Sequence, residues 1–245
     1  MELIVYFVAL LAGFFGGIVG SISGGGSLIS ITALLLLGLP PYQAIATSKF
    51  ASPGIWLSAS YKYWKNKKVE WRLVPLLFAI YAVFGFIGAS TLLTVDEELL
   101  SNSVGVVLLV LLAFIVFKPQ IGVKKHKPKH VWLGYVLMAG VAFWAGFFGP
   151  GYGTLATYVL VGIFGLQFLN ATGTNFFSLT GLIFTSVIVF ALAGVIVYDV
   201  GLAMMLGYFL GGYVGSTIAI KKGNAWVRLI FIVFVLIGAI KILFF

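Results

Sequence analysis

The feature that most constrains this chain is a long internal repeat. Residues 13 to 90 align with residues 140 to 217 without a gap, at a constant offset of 127 positions. The alignment pairs seven glycines, including Gly24 with Gly151, and it pairs Thr47 with Thr174. Chance similarity would not keep one register over so long a stretch. A duplication in an apolar chain predicts a transporter built from two repeats, with a substrate site where they meet.

Composition places the chain in a membrane. Hydrophobic residues make up 62% and charged residues only 9%, whereas about a quarter of the residues in a soluble domain are charged. The mean hydropathy is +1.16. The apolar stretches divide into ten segments, five per repeat: 3–22, 27–39, 42–64, 71–94, 99–117, 131–149, 154–166, 169–197, 200–220 and 225–245.

These segments predict an all-α polytopic transmembrane protein. Most have the roughly 20 residues that a helix needs to cross the bilayer, and none alternates with the period of two that a barrel strand requires. The second segment of each repeat is short and follows a glycine cluster, so we expect half-length or broken helices there. The expected units are a first repeat (1–118), a basic linker (119–130) and a second repeat (131–245).

The charges predict the topology. Thirteen of the fifteen basic residues lie in three loops, at 62–72, 118–129 and 221–228. The positive-inside rule assigns these loops to the cytoplasm, so the net charge of +9 indicates orientation and not nucleic-acid binding. Equivalent loops of the two repeats carry opposite charge. We therefore expect inverted repeats in the cytoplasmic membrane, with an odd number of crossings each and both termini outside.

Two glycine clusters are candidate anion sites. Glycine lets the backbone approach a ligand, and the first N–H groups of the following helix lack intrahelical partners and carry partial positive charge. Inverted repeats would bring both clusters to a common centre, where hydroxyl groups add donors. Close helix packing is the alternative explanation. The candidates are Ser23, Gly24, Gly25, Gly26 and Ser27, and in the second repeat Gly151, Tyr152, Gly153 and Thr154.

A second matched pair begins the third segment of each repeat. Each motif has an amide and, four residues later, a threonine, which places both side chains on one helical face. Such a face can complete an oxyanion cage, or the threonines can instead satisfy backbone groups as caps do. The candidates are Gln43, Thr47 and Ser48, and in the second repeat Asn170, Thr174 and Asn175.

Lys49 is the only basic residue well away from the cytoplasmic loops and the chain end. Ionisable groups at membrane depth are costly and often functional, so Lys49 is a candidate countercharge for an anion. The alternative is that its amino group snorkels to the outer surface. The equivalent residue of the second repeat is Phe176.

The residues that are missing also bear on mechanism. No Asp or Glu lies inside a predicted helix, both histidines lie in the basic linker, and the chain has no cysteine. We therefore expect no catalytic group, no metal site, no cofactor and no proton or sodium relay. An anion leaving a cell that is negative inside gains about 2.3 kcal/mol per charge per 100 mV, so uncoupled export fits better than uptake.

At these motifs the chain resembles the TauE/SafE family of sulfite and organosulfonate exporters, also called the 4-toluene sulfonate uptake permease family. The resemblance spans the whole chain and rests on residues 23–27, 44–48, 149–153 and 171–175, with Pro150 and Tyr152 departing from the usual run of glycines. It implies a prokaryotic cytoplasmic-membrane protein that moves sulfur-containing or related organic anions.

The sequence thus predicts export of sulfite, or of an organosulfonate such as taurine or sulfoacetate, by rocking of two repeats. The expected partners are the anion, the lipid bilayer and a second copy in a homodimer. The alternatives are an anion channel, a transporter of other small organic anions and a non-transporting membrane partner or enzyme subunit.

Overall fold

The computed structural model describes residues 2–95, 128 and 130–244, which fold into helices without any strand. Their lengths and breaks follow the apolar pattern of the sequence. The helices are α1 (Glu2–Ser23), α2 (Gly26–Leu36), α3 (Pro41–Lys65), α4 (Val74–Leu92), α5 (Val131–Phe147), α6 (Tyr152–Gly162), α7 (Phe168–Ser178), α8 (Thr180–Leu192) and α9 (Tyr198–Phe244). Helix α9 is interrupted at Gly223, where φ is 81°.

Helix bounds follow the sequence repeat. Helices α2 and α6 each have 11 residues, and at 1.5 Å per residue each is about 16 Å long, half the hydrocarbon thickness. The prediction that both second segments are half-length helices is confirmed. Helix α3 spans Pro41–Lys65, and α7 with α8 spans the residues 127 positions later, from Phe168 to Leu192.

Segment 169–197 differs from its prediction as one helix. It forms two helices, α7 and α8, that meet at a bend of 40°. The bend lies among hydroxyl groups that bond back to their own helix: Ser178 Oγ donates to Thr174 O (2.9 Å) and Thr180 Oγ1 to Phe177 O (2.8 Å). Such bonds compete with the backbone ladder and bend helices. Predicted segment 99–117 lies outside the described residues.

Among the residues that the structure describes, three helices are long and apolar enough to cross a membrane: Leu3–Ser23, Val74–Leu92 and Tyr198–Asn224. The bent pair α7–α8 gives a fourth if it counts as one span. Large apolar side chains such as Leu3, Leu36 and Leu192 are more than four-fifths exposed, while many hydroxyl groups are buried. This distribution, apolar outside and polar inside, suits a protein surrounded by lipid.

Helix α3 lies at the centre and runs antiparallel to its equivalent, α7–α8. The ring of Tyr63, near the end of α3, stacks on Phe176 at 6.0 Å, whereas Thr47, near its start, contacts Val197, which follows α8. Helix α3 is parallel to α9, because Phe50 contacts Tyr198 and Lys62 contacts Tyr213. The basic end of α3 therefore lies beside α7.

Around α3, helices of each repeat pack on helices of the other repeat. Helix α1 packs on α9, and its equivalent α5 packs on α4, which is the first-repeat equivalent of the start of α9. Helix α3 packs on α9, and α8 packs on α4. The two repeats therefore form one packed core together, and the glycine clusters that precede α2 and α6 lie where the repeats meet.

Candidate anion-binding site

The two glycine clusters are in direct contact. Gly24 adopts a φ of +78°, and a Cβ on it would lie 2.6 Å from Gly153 Cα and 2.7 Å from Thr154 N. Helix α2 begins at Gly26 and α6 at Tyr152, and neither N-cap residue has a side-chain hydrogen bond. Two helix N-termini, with their partial positive charge, thus lie side by side inside the molecule.

The hydroxyl groups of the clusters join the repeats. Thr154 Oγ1 donates to Ser23 O at 2.9 Å, and Ser27 Oγ donates to Gly149 O at 3.4 Å. Ser23 Oγ donates to Val19 O within its own helix. A hydroxyl has one proton to donate, so in this arrangement Thr154 and Ser27 join the repeats and Ser23 bonds within α1. The expectation that they serve as free donors to an anion does not match this geometry.

A cavity of about 60 Å³ lies beside the glycine contact. Its wall comes from the starts of α2 and α6, from α3, α7, α8 and α9, and from the glycines between them. Half of the residues predicted from the sequence line it: Gly24, Gly26, Ser27, Ser48, Lys49, Tyr152, Gly153 and Asn175. The other half are absent from the wall: Ser23, Gly25, Gln43, Thr47, Gly151, Thr154, Asn170 and Thr174.

Lys49 supplies the charge of this cavity. It is only 8% exposed, and its Nζ donates to Ala145 O and lies 5.3 Å from the centroid of the Tyr152 ring. The snorkelling alternative is therefore wrong for this structure. Within the described part of the chain, the cavity wall contains no carboxylate. A buried amino group without an acidic partner holds its proton more readily when an anion lies beside it, and this coupling favours an anion as its ligand.

Thr47 and Thr174 form a matched pair of cross-links. Thr174 Oγ1 accepts a hydrogen bond from Glu70 N at 2.9 Å, and Thr47 Oγ1 accepts one from Val197 N at 3.0 Å. Both donors and both acceptors are separated by the offset of the repeat. Of the two roles considered, these threonines have the one in which they satisfy backbone groups, although those groups belong to the other repeat.

Tyr81 and Tyr208 form a second matched pair, which the sequence reasoning missed. Tyr81 OH donates to Asn175 Oδ1 at 2.6 Å, while Tyr208 OH lies 2.5 Å from Ser30 Oγ and 3.4 Å from Ser48 Oγ. These side chains hold Ser48 and Asn175 against the cavity. The repeat alignment contained the signal, because it pairs Tyr81 with Tyr208 and Ser48 with Asn175.

Two more lining residues were also missed. Trp56 and Thr172 line the cavity, and their polar atoms, Nε1 and Oγ1, are buried without a hydrogen-bond partner among the described residues. Thr172 lies within the motif at 171–175 but was not among the candidates, and no motif of the sequence indicated Trp56. The residues of the wall thus include a lysine and two side chains with unpaired N–H and O–H groups, next to two helix N-termini, a combination that favours binding of a small anion.

Comparison with known proteins relates the chain to membrane transporters. A probable membrane transporter of Sinorhizobium sp is 31% identical over 95% of this chain and 90% of its own length. The probable membrane transporter YfcA of Escherichia coli K12 is 29% identical over 98% and 89%. No solved structure matches the chain significantly. The family model described as sulfite exporter TauE/SafE matches residues 9–242. The chain therefore belongs to the TauE/SafE family of membrane transporters.

Proposed function

We propose that the protein exports a small sulfur oxyanion, either sulfite or an organosulfonate such as taurine or sulfoacetate, across the cytoplasmic membrane as a multi-pass carrier. The observation that carries this proposal is Lys49. Its amino group is buried in a cavity between the repeats, beside the contact of Gly24 with Gly153, and faces no acidic residue in the described part of the wall. An anion would neutralise that charge.

The size of the cavity favours a compact substrate. About 60 Å³ holds a few water molecules, and a sulfite ion fits into such a space better than a large aromatic sulfonate does. Backbone N–H groups at the starts of α2 and α6 would complement the charge of Lys49. Sulfite is accordingly the first substrate to test, and taurine and sulfoacetate are the next.

Alternating access follows from the proposed inverted repeats. Support comes from the antiparallel course of α3 and α7–α8 and from the cross-links of Thr47 and Thr174, which lie near opposite ends of α3. Rocking one repeat against the other would break one cross-link at a time and open the cavity to one side. The outward direction is supported by the membrane potential, which drives anions out of the cell.

The decisive experiment is sulfite efflux from proteoliposomes with an imposed membrane potential. We expect saturable efflux that increases when the sulfite-containing interior is negative, with taurine, sulfoacetate, sulfate and acetate as competitors. Currents far above the turnover of a carrier would instead indicate an anion channel. Absence of sulfite and sulfonate flux at either polarity would contradict the proposed substrate class.

Substitution of Lys49 tests the site itself. Lys49→Met keeps the length of the side chain and removes its charge, so we expect sulfite efflux to fall at least tenfold. The matched control is Lys65→Met, because Lys65 lies at the exposed end of α3 and outside the cavity wall. Equal efflux by the two variants would place the anion site elsewhere.

A further inference from the structure

We propose that the indole N–H of Trp56 and the hydroxyl of Thr172 bind oxygen atoms of the substrate anion, so that the cavity selects ions with several oxygen acceptors. This inference rests on the proposed function and deepens it. It assigns the uncharged hydrogen-bond donors of the site, whereas Lys49 supplies its basic group.

The first observation is the unpaired state of both groups. Trp56 Nε1 and Thr172 Oγ1 are buried and have no hydrogen-bond partner among the described residues, and Thr172 is only 3% exposed. Buried polar groups nearly always have a partner, because an unpaired one loses its hydration without compensation. Of the three such atoms in the described chain, two belong to residues that line the cavity with Lys49.

The second observation is that these donors break the symmetry of the repeat. Ile183 occupies the position equivalent to Trp56, and Ile45 the position equivalent to Thr172. The cross-linking residues behave in the opposite way, since Thr47 has Thr174 and Tyr81 has Tyr208. A scaffold that must work in both repeats explains the matched polar groups. Donors present in one repeat only are explained by a ligand that is bound once, between the repeats.

The chemistry of the two groups defines the ligand. The indole nitrogen only donates, and the unpaired threonine hydroxyl has a proton to donate. With the ammonium group of Lys49 they offer donors from α3 and α7. Sulfite and the sulfonate group each present three oxygen atoms to such a set, whereas acetate presents two. The cavity is therefore expected to prefer a sulfur oxyanion to a carboxylate.

Conservative substitutions isolate the two donors. Trp56→Phe keeps an aromatic ring and removes the N–H, and Thr172→Val keeps the shape and removes the O–H. Matched controls are Trp64→Phe, at a ring that is 55% exposed, and Thr185→Val, at a hydroxyl that donates to Gly181 O within its own helix. The dissociation constants of sulfite and acetate are measured by calorimetry on the purified full-length chain.

We expect each cavity variant to bind sulfite about tenfold more weakly or worse, the range for a hydrogen bond to a charged group. Acetate affinity should fall less, so that the ratio of sulfite affinity to acetate affinity decreases. The ligand-free variants should be at least as stable as the parent protein, because each substitution removes an unpaired buried group. A purely structural role would instead lower stability and leave the sulfite-to-acetate ratio unchanged.

Three results separate this inference from the proposed function. Sulfite binding within twofold of the parent in both cavity variants, together with loss in Lys49→Met, would overturn the inference and leave the proposed function intact. Failure of the parent protein to bind sulfite or sulfonates would overturn both. Equal weakening by the control variants would also refute the inference, because the effect would not belong to the cavity.

Discussion

The contact between Gly24 and Gly153 provides a quantitative test of how the two repeats are joined. Replacing Gly24 with alanine adds one methyl group at a residue whose φ is +78° and whose neighbourhood is filled by the backbone of Gly153 and Thr154. The strain of the positive φ and the collision with neighbouring backbone can both be relieved only by movement of backbone atoms. We expect α2 and α6 to separate and the wall of the cavity to shift.

The chain offers a matched control for this substitution. Gly38 has a similar φ of +86°, but nothing lies within 4 Å of a Cβ placed there. Alanine in the left-handed conformation costs about 1–2 kcal/mol, and this cost applies to both positions. Overpacking adds about 1–3 kcal/mol and applies only at Gly24. We therefore expect Gly24→Ala to lose about 2–5 kcal/mol of stability and Gly38→Ala about 1–2 kcal/mol.

The assay is unfolding by titration with a denaturing detergent in mixed micelles, followed by tryptophan fluorescence. Sulfite efflux from proteoliposomes is measured for the same variants. Gly24→Ala should impair both stability and efflux, whereas Gly38→Ala should leave efflux close to that of the parent. An equal loss of stability in the two variants would refute the reasoning, because the collision with Gly153 would then contribute nothing.

Further predictions concern the matched polar pairs. Thr174→Val removes the acceptor of Glu70 N, and Thr47→Val that of Val197 N. Because the chain lacks cysteine, Ser52→Cys in the cavity wall can be labelled with an impermeant thiol reagent. Thr174→Val should raise labelling from the side of the basic loops, and Thr47→Val should raise it from the opposite side. Equal labelling from both sides would contradict the gating role. Tyr81→Phe should cost about 1–3 kcal/mol of stability in detergent titration, because Asn175 Oδ1 loses its donor. Tyr208→Phe should cost less, since Ser30 and Ser48 stay bonded to each other at 2.9 Å, and the reverse order would refute this comparison.

Much of the helical layout followed from the sequence alone. The apolar segments and glycine clusters gave α1, the half-length helices α2 and α6, and the central helix α3 nearly at their observed bounds. The bend between α7 and α8 was not predicted, because the apolar run continues through Leu179. Hydroxyl groups beside the bend bond back to carbonyls of their own helix, and hydropathy contains no information on such bonds.

The candidate site was only partly predictable. Glycine spacing and the lone lysine pointed to Gly24, Lys49 and Gly153, which all line the cavity. Thr47 and Thr174 were predicted to bind the anion, because a sequence indicates the helical face on which a residue lies but not its hydrogen-bond partner. In the structure their partners are backbone N–H groups of the opposite repeat, which no helical periodicity within one repeat can reveal.

The sequence by itself determined that this chain is an all-helical membrane protein with an internal repeat and one isolated lysine. Those properties follow from hydropathy, register and charge, which are read along the chain. Only the tertiary structure decided which polar groups are already paired and which are left over for a ligand. Thr154 and Thr172 are both buried threonines of the second repeat. The hydroxyl of Thr154 donates to Ser23 O, whereas the hydroxyl of Thr172 has no hydrogen-bond partner among the described residues. That difference depends on distances between segments far apart in sequence, and so it arises only when the two repeats pack together.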